Sequence, residues 1–405
     1  MKWKIIAALV LGILVFADGT RRDLVPDVQA GEGKIPGLKL GDNNHVGKPF
    51  QVDNLTVFPI YALKQPDVGK FITLDEALRA GKAEVRELGA EAAAPPAPEP
   101  RGNSSIVNAV TDLLRSNDFQ PQQRHNSRHI PQEQVQQIQG SGAAQVNTLV
   151  IHNVSNVTIL VLAGTVVVGG KQDRQVGQDF VIGPKKTVPV DAFCVEHGRW
   201  DANREGKSTG GKFGSVPMLA NQKVRGAGQY KEDQSEVWNQ VAKVNADNMR
   251  EASTGTLLAS LSDKDISKKR TAISGKLEGY LSDISKPHSI VGLAYAVDGQ
   301  VRGARWFINH DVYTKFKPTL VNTMAIEAIT ALSQAKANGR SMIKRKVPAK
   351  EVQAFVSDLK QAAVKERKKT KASNDNAYKE TATGYNSDCF VDGEEIPVTS
   401  DFLMK

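Results

Sequence analysis

Several things are scarce in this 405-residue chain, and each scarcity removes a class of protein. There are two cysteines, Cys194 and Cys389, too few for a disulfide-dense secreted scaffold. No CxxC or HExxH motif occurs, nor a local Ser-His-Asp signature. No glycine-rich fingerprint follows a strand and opens a helix. Gly206-Lys207-Ser208-Thr209 lacks the first glycine of a phosphate loop at the required offset. Aromatic residues make up 6%. The most apolar run, Ile5–Phe16, is shorter than the ~20 residues of a bilayer-crossing helix. Charge of one sign is also missing in bulk: the formal net charge is +9, and its excess gathers at Arg340, Lys344–Lys346 and Lys365–Lys371. Such basic runs read as solvated helix ends before they read as a nucleic-acid surface, so no specific nucleic-acid partner is expected.

What is present begins with a leader. Lys2 and Lys4 precede Ile5–Phe16, and Val15-Phe16-Ala17 carries small residues at a cleavage position. That is the pattern of a secretory signal over 1–17, which predicts an exported, periplasmic or extracellular protein with no stable membrane span. In that compartment Cys194 and Cys389 can pair as a disulfide; equally, they are two buried small hydrophobes.

Residues 18–89 read as the N-terminal part of the core, with 18–53 as leader and loop. Val57–Ala62 reads as a strand that Pro59 makes irregular or places at an edge. Thr73 and Glu76 have capping-box spacing and open a short helix. The segment 90–143 is Ala/Pro- and then Gln-rich, and reads as a flexible insertion that cannot bury enough surface to order itself. His125 and His129 within it have helical metal-ligand spacing but no third ligand, so no metal is expected.

The core spans 144–335. Val157–Val168, broken at Ala163-Gly164, then Phe180–Ile182 and Val188–Val195 are strand-like. Helices follow around 234–242, 269–284 and 320–332, with a hairpin over Ile290–Val297 and Val301–Ile308 turning at Asp298-Gly299. The expected fold is α+β: an antiparallel β-sandwich or barrel-like core, then a helical C-terminal half containing a β-hairpin. Residues 336–405 are expected to supply a helix after Pro348 and a polar tail, with Cys389–Val391 as one docking strand.

The polar residues set into this apolar core cluster in two loops. One is Gly169-Gly170-Lys171-Gln172-Asp173-Arg174, the other Glu196-His197-Gly198-Arg199-Trp200. Loops on a rigid sheet are where binding concentrates. Lys171, Gln172, Asp173, Arg174 and Arg199, with Trp200 and Trp238 as stacking surfaces and Lys212 in reach, suit a phosphate or carboxylate. Glu196 beside Arg199 is either a general acid/base or a structural ion pair.

The Gly-Gly-Lys-Gln-Asp-Arg loop, the segment "VPVDAFCVEHGRW" and the helix "QSEVWNQVA" resemble a domain family. It is named for its association with ADP-ribosylglycohydrolases and rhodanese-phosphatases. A weaker likeness covers 289–332. Thr165 stands where that pattern leads one to expect Glu after Gly164. The resemblance implies an anionic, nucleotide- or ADP-ribose-like ligand; no cofactor is expected. Three functions follow as expectations: an exported binding domain for such a ligand, a hydrolase acting on it through Glu196, or an envelope interaction protein.

Overall fold

The molecule's longest sheet is built around the expected hairpin, which forms as Ile290–Val297 and Gln300–Phe307 with Asp298 and Gly299 at positive φ in its turn. The computed structural model describes residues 37–88, 148–204, 206–284, 286–341 and 345–405. The segments read as a leader over 1–17 and as a flexible insertion over 90–143, with His125 and His129, lie outside these residues.

On one side of the hairpin runs Leu55–Ala62, then Asn44–Val46 and Leu38–Lys39, so the segment expected as a loop contributes short strands instead. Leu55–Ala62 lies between neighbours and is no edge strand. Pro59 is tolerated because Asn44–Val46 and Phe50–Val52 pair on either side of it and leave a break opposite the ring. On the hairpin's other side come Thr399–Met404, Gly384–Val391, Asn374–Glu380 and Val364–Lys369, all antiparallel.

This corrects the expected polar tail. Residues 364–404 form four strands, three of which bury polar side chains, among them Asn374, Asn376, Ser387 and Asp401. Polar inward residues conceal the alternation that marks a half-buried strand. The basic run falls on the exposed outer strand, where Lys365, Arg367 and Lys368 pair with Glu380, Asp375 and Glu232.

Helices cover both faces. The helix Ala349–Gln361 lays Val352, Phe355, Val356 and Leu359 against Phe58, Ile60, Trp306 and Phe402. The long helix His310–Ala337 packs its apolar face on the opposite side, beside Leu55, Val57, Leu293 and Tyr295. Pro318 stands inside that helix and removes one backbone donor.

The β-rich half holds a six-stranded antiparallel sheet in the order Phe213–Leu219, Thr165–Gly169, Arg174–Val176, Thr187–Cys194, Thr148–Asn153 and Ala83–Glu87. A three-stranded sheet, Phe180–Ile182, Thr158–Val161 and Phe71–Thr73, shares its core, and its last pair is parallel. Thr73 caps the helix Leu74–Arg79 as expected, its hydroxyl accepting from Glu76 N at 3.0 Å. Together these elements make an α+β fold.

Candidate functional site

The two polar loops do meet. They meet in the interior. The strand Thr165–Gly169 turns at Gly169 and Gly170, both at positive φ, and a Cβ on Gly169 would stand 2.1 Å from the Lys212 carbonyl oxygen. Only glycine lets the chain turn there. The return strand then begins at Arg174, beside Cys194, and places Asp173 against the segment that follows Cys194.

Asp173 and Glu196 are 0% and 1% exposed, and their oxygens are fully engaged. Gly169 N donates to Asp173 Oδ1 at 3.0 Å and Thr256 Oγ1 to Oδ2 at 2.7 Å. Arg199 Nε and Nη2 reach Glu196 Oε1 and Oε2 at 3.0 and 2.8 Å, and Asp173 N donates to Oε2 at 3.0 Å. Arg204 bridges both carboxylates. Gln172 donates to the Glu196 carbonyl at 2.9 Å and accepts from Arg174 at 3.0 Å, while Arg174 also faces Glu87 at 3.5 Å. This is a closed clasp.

Electrostatics separate its two acids. Burial pushes the Asp173 carboxyl up, with Glu196 adding to the rise against the pull of Arg204. Burial also works to raise Glu196, but hydrogen bonds from Arg199 and Thr254 and the charges of Arg204 and Arg199 outweigh it. They hold Glu196 below the usual carboxylate range. A general acid/base must exchange its proton with a substrate within hydrogen-bond reach. Glu196 instead serves as an anionic anchor, so the ion-pair alternative describes its geometry.

The remaining expected residues do not join one cleft. Lys171 contributes only its backbone N–H, to Glu87 Oε1 at 3.0 Å, and its side chain is exposed, as is that of Lys212. Trp200 is 57% exposed. Trp238, on the helix Gln234–Asp247, meets the edge of His197 at 4.6 Å. Cys194 and Cys389 are both free, buried and in different sheets, so the disulfide reading is corrected. Cys389 Sγ accepts from Asn374 Nδ2 at 3.4 Å instead.

A second buried network was not anticipated. Arg305 binds Asp179 at 3.2 Å and Asp401 at 3.0 Å, and Arg225 holds Asp401 at 3.2 Å. All four residues are buried. Arg305 alone stands between apolar neighbours, in Ala304-Arg305-Trp306, and that was the signal open to reading.

Open space lies elsewhere, in a cleft of about 460 Å³ between the helices Leu74–Arg79, Lys264–Asp283 and His310–Ala337. Arg270 lines it and is 1% exposed. Its guanidinium has the Ser267 hydroxyl at 3.1 Å, its Nε is without a partner, and among the described residues no carboxylate pairs with it. Burial alone lowers its affinity for its proton. The acids around the cleft are committed to other cations: Asp75 to Arg79 at 2.6 Å, Glu76 to Lys315 at 3.5 Å, Glu278 to Lys317 at 3.8 Å. Among the described residues no cluster of His, Cys, Asp and Glu suits a metal ion, and no helix is long and apolar enough to cross a membrane.

Residues 43–399 match the family described as the ARG and Rhodanese-Phosphatase-superfamily-associated Protein domain, and the chain belongs to that family. No curated protein and no solved structure matches it.

Proposed function

We propose that this member of the family is an exported binding domain for a small anion, held in the cleft beside Arg270. One observation carries the reading. A buried guanidinium without a carboxylate is costly unless a partner arrives, and this one stands at the wall of the open cleft. The anion expected from the sequence is thereby moved from the Lys171–Arg174 and Arg199 loops, whose charges neutralise one another, to a site the motifs did not mark. In this reading the β-rich half is an incompletely closed barrel. Its support is the one hydrophobic core shared by the six- and three-stranded sheets. The clasp fixes that barrel's loops, and Glu196 has no catalytic part. Export rests on Lys2, Lys4 and the apolar run to Phe16.

Thermal melts with phosphate, sulfate and citrate test the binding. Stabilisation that rises with anion concentration, and that Arg270→Met abolishes, is expected. A midpoint indifferent to every anion removes the proposal.

A further inference from the structure

The cleft's lining also says what kind of anion it suits. Apart from the ion pairs already described, the lining carries neutral groups that both donate and accept hydrogen bonds: Thr73, Thr271, Ser274, Thr319 and Asn322. Two of them are already oriented, Ser274 Oγ donating to Asn322 Oδ1 at 3.1 Å. Among the described residues around the cleft there is no aromatic side chain, and Pro217 and Pro318 are its bulkier apolar members. A nucleobase is held chiefly by stacking on an aromatic or guanidinium plane. Here the one buried guanidinium is needed for the anion. An ammonium group would have to compete with Arg79, Lys315 and Lys317 for the carboxylates.

We infer that the ligand is a compact polyhydroxylated anion, a monosaccharide phosphate or a sugar acid. The inference rests on the anion-binding reading above and departs from the nucleotide-like ligand that the family resemblance implies. Arg270 pairs with the phosphate or carboxylate, for which a guanidinium is the geometric match. The Ser274–Asn322 pair exchanges hydrogen bonds with ligand hydroxyls, which also donate and accept. The volume is within the range of small-molecule sites.

The test is titration calorimetry on the full chain with five probes: inorganic phosphate, glucose 6-phosphate, gluconate, AMP and ADP-ribose. Glucose 6-phosphate or gluconate is expected to bind at least tenfold more tightly than inorganic phosphate. A preference for glucose 6-phosphate assigns a phosphate, and a preference for gluconate a carboxylate. Asn322→Ala should bring the favoured sugar anion down to the level of inorganic phosphate while leaving phosphate binding in place. Arg270→Met should remove both, and Arg270→Lys should restore part of each. AMP or ADP-ribose binding as tightly as the sugar anions, with loss in Arg270→Met, overturns this inference and leaves the anion site standing. Equal affinity for glucose 6-phosphate, gluconate and inorganic phosphate overturns it as well. Silence from all five probes removes the anion site itself.

Discussion

Arg305 Nη1 stands 3.2 Å from Asp179 Oδ1, and this ion pair, closed to solvent on both sides, ties the ten-stranded sheet to the β-rich half. The same guanidinium holds Asp401 on the neighbouring strand. Burial pushes the Asp179 carboxyl up, and Arg305 opposes it. Removing Arg305 would therefore strand Asp179 in the interior and leave Asp401 with Arg225 as its one guanidinium. Arg305→Met is expected to destabilise the fold by about 3–5 kcal/mol in urea denaturation. A loss below about 1 kcal/mol would show that the network contributes little.

The clasp makes a parallel prediction for the residues marked by sequence. Arg174→Ala leaves Gln172 and Glu87 without their guanidinium. The thermal midpoint should fall, and the response to added phosphate should stay that of the parent. An unchanged midpoint combined with lost phosphate response would return the ligand site to the loops.

Arg270 should behave in the opposite sense. It is buried without a carboxylate, so Arg270→Met removes a desolvation cost and no ion pair. In the absence of ligand the variant should be more stable than the parent, on the order of 1–4 kcal/mol. A marked loss of stability would mean that Arg270 is held by interactions the cleft needs for folding.

Acid titration should reveal two opposed limbs. Burial works to raise both Glu196 and Asp401, but their arginine partners win and hold both carboxyls below the usual range. Their stabilisation is therefore complete above about pH 4 and lost as pH falls through the folded values. Asp173 and Asp179 are raised by burial, so each costs stability as pH climbs from the ordinary carboxylate value through its folded one. Stability measured by urea melts should thus rise as pH is lowered through the raised values toward the ordinary carboxylate value, then fall below about pH 4. Glu196→Gln should flatten the acid limb and Asp173→Asn the other. Unchanged slopes in both variants would contradict the assignment.

The thiols offer a simple check. Burial pushes both Cys194 and Cys389 up, away from the reactive thiolate. The native, unreduced protein should resist labelling at neutral pH and show two reactive thiols once unfolded. None after unfolding would restore the disulfide.

What the sequence by itself determined was local. Val and Ile runs marked the strands on either side of Gly164, Thr73 marked a helix start, and Asp298-Gly299 marked the hairpin. These signals lie within a few residues, where propensity, caps and turn chemistry act. It also brought Gln172, Asp173, Arg174, Glu196 and Arg199 to one place, because strand ends carry their loops together. Whether that place was open or closed was a tertiary decision. Arg204 follows Arg199 by five residues, while Thr256 and Glu87 arrive from distant segments; together they close the site, and no local pattern says so. The strands after residue 364 were hidden for the same reason: Asn374, Asn376 and Asp401 look solvated until the partners that bury them are in position. Arg270 shows the converse. It reads as one more charge on a polar helix, and only the packing of three helices around it makes it a buried cation facing open space.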